Sequence, residues 1–403
     1  MTASNSHPPN VSPIRLANGV VYAGVVLTGM LTTLLGPLLP VLSARWSLAD
    51  AQAGYLFTAQ FAGSMTGAMI SGLLLPRYGF RFSLVLGFAL TAVGAFPLGM
   101  GGWTVGLLAV YGYGIGLGFT IACTNLWVSE NNPERRSAAL SMLNFAWGAG
   151  AVACPFLFTV LHSRGSGGTM APALAAAFVL VALLLAGIPF KEPKRELEGV
   201  STAALRASVW SIRFGPALGA LFFLYVGTEN ALGGWVASLA KRNSAGAGTL
   251  WMMAPSFFWG ALLVGRGLAP AALRHVTEAR IVLGGLLLAS LAGGGLLRAA
   301  SLSAVLGWVT LAGFGLSAIF PIQVAWISAT FGAASARLAG RIFAMGALGG
   351  ATLPWAVGYL STAFGGLKAG LVAPLLGGLI MIALLLLSPP PAAKPKTNSV
   401  AST

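Results

Sequence analysis

The chain consists largely of long apolar segments with almost no charge, and this feature constrains its fold more than any other. A helix that spans a bilayer needs about 20 apolar residues, and we find twelve such runs. The predicted spans are 20–42, 51–75, 82–100, 103–128, 138–162, 170–190, 214–240, 250–264, 281–299, 302–327, 338–363 and 367–387. The sequence therefore predicts an all-α integral membrane protein with twelve transmembrane helices.

Composition supports this prediction and excludes several other classes of protein. Of the 403 residues, 57% are hydrophobic and 8% are charged, whereas soluble domains carry about 25% charged residues. A surface so poor in charge must face lipid. Cys123 and Cys154 lie inside apolar runs, and the three histidines lie in a tail or at span ends. We therefore expect no disulfide framework, no metal site and no cofactor.

The basic residues indicate how the chain is oriented. The net charge is +15, but Lys and Arg stand singly at the ends of apolar runs, which is typical of topology signals and not of nucleic-acid binding. With the N-terminus in the cytoplasm, 17 of the 23 Lys and Arg lie on the cytoplasmic side. We predict a cytoplasmic tail (1–17), a six-helix bundle (18–190), a cytoplasmic loop (191–213), a second six-helix bundle (214–388) and a disordered cytoplasmic tail (389–403).

Short matches between the two halves indicate an internal duplication. GLGFTIACTNLWVS at 116–129 aligns without gaps with GLSAIFPIQVAWIS at 315–328. FAWGA at 145–149 matches FAMGA at 343–347, and GLLLPR, which ends at Arg77, matches ALLVGR, which ends at Arg266. Three matches in the same order predict two pseudo-symmetric six-helix bundles, an arrangement common in secondary transporters.

The segment GLLLPRYGFR at 72–81 resembles the loop motif between the second and third spans of the major facilitator superfamily. Gly72, Arg77, Gly79 and Arg81 match the motif, and Pro76 replaces its acidic residue. The match between the halves assigns Arg266 to the corresponding loop of the second half. The resemblance implies the twelve-helix major facilitator fold.

Four further segments resemble the fucose permease and glucose/galactose transporter branch of that superfamily. They are FFLYVGTENALGGW at 222–235, FFWGALLVGR at 257–266, GFGLSAIFP at 313–321 and GALGGATLPWAVG at 346–358. This resemblance implies a transporter that moves a monosaccharide by alternating access. Gly36 and Ile121 lie roughly where proton-coupled members of the branch carry carboxylates.

Glu229 is the one acidic residue, of eight, that lies well inside a predicted span. A charged carboxylate at the bilayer centre costs about 2.5–3.5 kcal/mol. Since the predicted spans place every Lys and Arg at a span end, in a loop or in a tail, we expect Glu229 to face a watery cavity or to be protonated part of the time. We predict that it binds substrate and carries the coupling proton of any proton-coupled transport. The alternative is a protonated glutamic acid with a structural hydrogen bond.

Other polar and aromatic residues in the spans are weaker candidates for substrate binding. Tyr225 lies one turn before Glu229 on the same face. Amide side chains offer donors and an acceptor to sugar hydroxyls, and an indole ring can stack on the apolar face of a sugar. The alternatives are hydrogen bonds between helices and ordinary packing. The further candidates are Asn125, Asn144, Asn230, Gln323, Trp147, Trp259 and Trp326.

The sequence thus predicts a monomeric transporter in the cell membrane that carries a small polar solute, with a coupling proton or sodium ion as a possible second partner. One alternative is a drug or metabolite exporter of the same superfamily. Another is a membrane sensor that binds its ligand without moving it. We expect no enzymatic activity, because no nucleophile–base pair or metal cluster is recognisable in the sequence.

The topology can be tested by cysteine labelling. With the loop 191–213 in the cytoplasm, a cysteine placed at Ser201 should be protected from an impermeant maleimide added outside intact cells. A cysteine placed at Ser166 should react, because 163–169 falls on the opposite side. The reverse pattern would overturn the predicted orientation. The parent chain, with Cys123 and Cys154 only, is the control.

Overall fold

The computed structural model of the chain describes residues 13–132, 134–188, 209, 213–244, 246 and 248–390, and its regular elements are all helical. The long helices of the first half are α1 (Pro13–Trp46), α2 (Asp50–Ala95), α3 (Trp103–Asn131), α4 (Arg136–Ser163) and α5 (Met170–Gly187). The second half contains α6 (Gly215–Arg242), α7 (Ala254–Ala272), α8 (Glu278–Arg298), α9 (Leu302–Leu316), α10 (Ile319–Phe331), α11 (Ser335–Ala363), α12 (Leu367–Gly370) and α13 (Val372–Leu387).

These helices provide the predicted twelve crossings. Nine segments of the described chain are long and apolar enough to cross a membrane. One of the nine, Asp50–Ala95, crosses twice, and α6 and α7 add the last two crossings. The pairs α9–α10 and α12–α13 each form one span. The two bundles are therefore α1–α5 and α6–α13, as the fold prediction requires.

Gly79 explains how α2 holds two spans. Its backbone has φ +77°, in the left-handed region that glycine adopts without a Cβ penalty, and the chain reverses direction there. Gly114 of α3 packs on Gln60, and Gly116 packs on Thr91. Both arms of α2 therefore run beside α3 at the same level, and the motif residues Gly72, Arg77, Gly79 and Arg81 lie in and around the turn between them.

The helices end at two opposite faces of the molecule. We call the face where α2 begins the Asp50 face, and the face that contains the turn of α2 around Gly79 the Arg77 face. The bundles are joined at the Asp50 face. Nη2 of Arg242 lies 2.6 Å from Oδ1 and 2.8 Å from Oδ2 of Asp50, and the Ser361 hydroxyl also donates to Asp50. Lys241 donates to the Pro40 carbonyl at 3.3 Å. We call this set of contacts the Asp50 latch.

Further hydrogen bonds between the bundles lie below the Asp50 latch. Thr58 donates to the Ala351 carbonyl at 2.8 Å, and Ser256 donates to the Val152 carbonyl at 2.9 Å. Both of these hydrogen bonds lie in the half of the molecule nearest the Asp50 face. These contacts close the space between the bundles at the Asp50 face.

Parts of the predicted domain organisation lie outside the described residues. These parts are the loop 191–213, apart from Val209 and Arg213, and residues 1–12 and 391–403 of the two predicted tails.

The Asp50 latch should control access from its own face. In a chain with Thr58→Cys, we expect Asp50→Asn to raise the rate of labelling by an impermeant maleimide from that face. The increase should reach about fivefold, because a partly exposed ion pair contributes about 0–1 kcal/mol. Arg45→Gln is the matched control, since Arg45 bonds the Gly99 carbonyl within its own bundle. Equal rates in the two variants would contradict a latch role for Asp50.

Candidate functional site

Glu229 lies at the centre of α6, far from both ends of that helix, and is 7% exposed. Its Oε1 accepts a hydrogen bond of 2.8 Å from the hydroxyl of Tyr225, which is completely buried. The structure therefore places Tyr225 and Glu229 one turn apart on the same face of α6, as predicted. In the described part of the chain, the other acidic residues lie at helix ends or in loops.

The expectation that no cation offsets Glu229 is wrong. The eighth span was predicted to end at residue 264, but α7 continues to Ala272, so Arg266 lies inside this helix and not in a loop. Nη2 of Arg266 lies 3.0 Å from Oε1 of Glu229. The error arose because the sequence match with Arg77 transferred a loop position to a residue that belongs to a helix.

A proline supplies the second anchor of Arg266. Pro321 in α10 has no N–H, so the carbonyl four residues earlier, at Ser317, loses its intrahelical donor. The span is interrupted here, between the end of α9 at Leu316 and the start of α10. Nε of Arg266 donates to the Ser317 carbonyl at 3.4 Å. The Tyr225 hydroxyl lies 3.2 Å from the Leu316 carbonyl, so α6, α7 and the interrupted span meet in one polar cluster.

Gly265 allows α7 to approach this cluster closely. A Cβ at position 265 would stand 2.6 Å from Cβ of Ser317, closer than real contacts allow. On the other side of the cluster, the guanidinium carbon of Arg266 lies 5.9 Å from the centre of the Phe320 ring. The Arg266 side chain is 20% exposed and that of Glu229 is 10% exposed. The cluster is thus largely shielded from water.

The predicted amide residues are not drawn together by the structure. The side-chain N–H groups of Asn125, Asn144 and Asn230 each donate to the carbonyl four residues earlier in the same helix, at 2.8–2.9 Å. Their amide oxygens are the groups left to accept bonds from a solute. Gln323 is fully buried, with Nε2 3.4 Å from the Leu221 carbonyl, and its Oε1 has no partner among the described residues.

The three predicted tryptophans lie in two places. Trp147 of α4 and Trp259 of α7 form an edge-to-face pair, with ring centres 5.6 Å apart, across the bundle interface. Trp259 lies two turns before Arg266 on nearly the same side of α7. Trp326 instead donates to Oε2 of Glu278, the first residue of α8, at 2.7 Å. Trp326 therefore belongs to the Arg77 face, apart from the Glu229 cluster.

The loop-motif residues also lie apart from the Glu229 cluster. Arg81 donates to the Ala186 carbonyl near the end of α5, and the guanidinium carbon of Arg77 lies 5.4 Å from the centre of the Tyr78 ring. These arginines, with Gly72 and Gly79, occupy the turn between the two arms of α2. The structure thus separates Arg266 from the other four residues that sequence analysis had grouped with it.

The family model described as Major Facilitator Superfamily matches residues 21–310, which is more than half of the chain. The chain belongs to the Major Facilitator Superfamily. Membership agrees with the twelve crossings in two bundles, and it makes this protein a membrane transporter and not an enzyme. The resemblance found in the motif at 72–81 is therefore confirmed.

Two relatives and three solved structures extend the comparison. The sodium-dependent glucose transporter 1A of Mus musculus is 24% identical over 299 residues, covering 62% of this chain and 67% of the relative. The sodium-dependent glucose transporter 1 of Danio rerio is 27% identical over 389 residues, covering 82% of this chain. The chain covers 62% of the length of the Danio rerio protein.

The three solved structures share the fold of this chain over most of its length. A bacterial homologue of the human lysosomal transporter Spinster, inward-facing and unoccupied, gives a TM-score of 0.73 at 17% identity, covering 94% of this chain and 97% of the other. A D-xylose–proton symporter gives 0.71 at 17% identity, with 92% and 97% covered. The E. coli fucose:proton symporter gives 0.62 at 17%, with 94% and 99% covered.

The close approach of α7 to Ser317 at Gly265 can be tested by adding one methyl group at that position. We expect Gly265→Ala to force α7 away from Ser317 and to lower the melting temperature of the detergent-solubilised protein, because overpacking of this kind costs about 1–3 kcal/mol. Gly267→Ala is the matched control on the same helix, since a Cβ there meets nothing within 4 Å. The packing explanation fails should both variants melt alike.

Proposed function

We propose that the chain transports a monosaccharide across the cell membrane by alternating access, as a monomer with both termini in the cytoplasm. The observation that carries the proposal is the buried cluster of Glu229, Arg266 and Tyr225 inside a transporter fold. Ionisable residues inside a membrane protein commonly mark substrate or ion pathways. Sugar transport is favoured because both relatives are glucose transporters by name and two neighbours in fold are sugar symporters.

The cluster presents the hydrogen-bonding groups that a sugar needs. Both described bonds of the Glu229 carboxylate go to Oε1, which leaves Oε2 to accept from a hydroxyl. Arg266 has five N–H donors and engages Nη2 and Nε in the described contacts. The edge-to-face pair of Trp147 and Trp259 offers apolar ring surface between the two bundles. We propose these residues as the substrate contacts, with the oxygens of Asn125, Asn144 and Asn230 as further acceptors.

The proposed cycle depends on opening and closing of the Asp50 latch. Opening of the Asp50 latch would expose the space between the bundles to the Asp50 face. In the observed state this space is closed there, and substrate would exchange with the Arg77 face. The latch consists of partly exposed contacts that cost little to break, which suits a gate that opens once per cycle.

We further propose that Glu229 is the group through which any proton coupling runs. A proton on Glu229 cancels the charge that holds Arg266. Binding of the proton would therefore loosen the contact between α6 and α7, and release of the proton would restore it. In the described part of the chain, no other acidic residue lies at this depth.

Proteoliposomes containing the purified protein test both proposals. We expect radiolabelled D-glucose, D-galactose or L-fucose to accumulate in wild-type vesicles under an imposed pH gradient. Glu229→Gln should abolish accumulation while some exchange of sugar remains, because the variant keeps a hydrogen-bonding group but cannot titrate. Glu278→Gln is the matched control, as Glu278 bonds Trp326 outside the cluster.

Each alternative outcome has a distinct meaning. Sugar equilibration without accumulation in wild type would show a facilitative carrier in which Glu229 only binds substrate. A Glu229→Gln variant that binds and transports like wild type would show that the cluster is structural and that the proposed site is misplaced. If no sugar is transported but lipophilic cations are expelled, the chain is an exporter and the sugar proposal fails.

A further inference from the structure

We propose that the guanidinium group of Arg266 is a built-in cation that occupies the place Na⁺ would take beside Glu229, so that transport by this chain does not depend on Na⁺. The inference rests on the proposed function, because it concerns how sugar movement is energised. It also makes a claim about ion binding that can be tested without any sugar.

The cluster has the oxygen ligands of a cation site. Secondary transporters commonly bind Na⁺ with backbone carbonyls of an interrupted helix at membrane depth. Here the span interrupted between α9 and α10 supplies the carbonyls of Leu316 and Ser317, and Pro321 deprives Ser317 of its helical donor. The Glu229 carboxylate adds the negative charge. Arg266 contacts the Glu229 carboxylate and the Ser317 carbonyl, and the Tyr225 hydroxyl links Glu229 to the Leu316 carbonyl.

Arg266 already fills this place. Its Nη2 lies 3.0 Å from Glu229 Oε1 and its Nε lies 3.4 Å from the Ser317 carbonyl. The Phe320 ring, 5.9 Å from the guanidinium carbon, attracts a cation through its negatively polarised face. Gly265 holds α7 close enough to Ser317 for the side chain to make these contacts. The Glu229 carboxylate and the Ser317 carbonyl are therefore used by a tethered cation, and the Leu316 carbonyl accepts from Tyr225.

Charge balance excludes a second cation. The Glu229–Arg266 pair is neutral, and in the described residues no other carboxylate lies at this depth. Na⁺ bound beside the pair would leave one uncompensated positive charge in a shielded environment, which is strongly unfavourable. A guanidinium group also stays protonated throughout the physiological pH range, so Arg266 does not vacate the place by losing its charge.

A proton differs from Na⁺ in this site. It binds directly to a carboxylate oxygen and needs no cavity or coordination shell. Protonation of Glu229 also leaves Arg266 without its counter-charge, but the freed guanidinium group can turn toward water or a substrate oxygen, because its side chain is 20% exposed. The inference therefore excludes Na⁺ and leaves the proton-coupling proposal for Glu229 intact. It also predicts an ion requirement unlike that in the names of the two relatives, which are sodium-dependent transporters.

Na⁺ itself is the probe that tests the inference. A ligand that binds only the folded protein raises its melting temperature. At pH 8 and constant ionic strength, wild type should melt at the same temperature in NaCl, KCl and choline chloride. Arg266→Met removes the tethered cation and keeps a side chain of similar length. We expect this variant to gain stabilisation that is specific for Na⁺ and saturates with its concentration.

Two further variants separate this effect from a general response to salt. Glu229→Gln/Arg266→Met should lose the Na⁺ effect, because the charge that attracts the ion is gone. Arg274→Met, which removes an exposed arginine just beyond the end of α7, should behave like wild type. A folded Arg266→Met variant without Na⁺-specific stabilisation would overturn the inference, and so would Na⁺-specific stabilisation of wild type.

Wild type also provides a decisive measurement if Arg266→Met does not fold. Uptake of D-glucose should proceed at equal rates when external Na⁺ is replaced by choline, and ²²Na⁺ should not accumulate with the sugar. Uptake that requires Na⁺ would overturn the inference. Absence of any sugar uptake would instead refute the proposed function. In that case, binding of ²²Na⁺ to purified wild type would decide the present inference alone. We expect no such binding.

Discussion

A carboxylate at membrane depth needs a counter-charge, and the pairing of Glu229 with Arg266 is the interaction on which the second bundle depends. Removing one partner of a buried pair costs about 3–5 kcal/mol, because the other charge is left uncompensated. The pair joins α6 to α7, and the bond from Arg266 to the Ser317 carbonyl adds the interrupted span. Pro321, which frees the Ser317 carbonyl, and the small residue at Gly265 both serve this contact.

The ion pairs Arg242–Asp50 and Arg266–Glu229 suit different tasks because their environments differ. Arg242 is 44% exposed where it meets Asp50, and a pair so accessible to water contributes about 0–1 kcal/mol. Such a pair can break and reform during each transport cycle. The shielded pair of Arg266 and Glu229 is costly to separate, so we expect separation only when a proton or a substrate group replaces one partner.

Sequence alone predicted the fold well and the site in part. Apolar length revealed the crossings, and an acid in an apolar run revealed Glu229, with Tyr225 following from helical spacing. Arg266 was assigned to a loop by its match with Arg77, and the predicted span ended at residue 264, whereas the helix continues to Ala272. Its pairing with Glu229 depends on how α6 and α7 pack, which local sequence does not encode. Pro321 offered the best available signal in the sequence, since a proline within a helix predicts a free carbonyl four residues earlier, at Ser317.

The internal duplication reproduces the fold in both halves but not the chemistry. In the first bundle, Tyr113 donates to Gln60 Oε1 at 2.8 Å, and Nε2 of Gln60 donates to the Thr32 carbonyl at 3.2 Å. Both ends of this buried amide are thus engaged without any charge. In the second bundle a tyrosine instead meets the charged pair of Glu229 and Arg266. The uncharged Gln60 cluster offers a solute weaker electrostatic attraction than the Glu229–Arg266 pair, so we expect substrate to stay with the second bundle while the first moves around it.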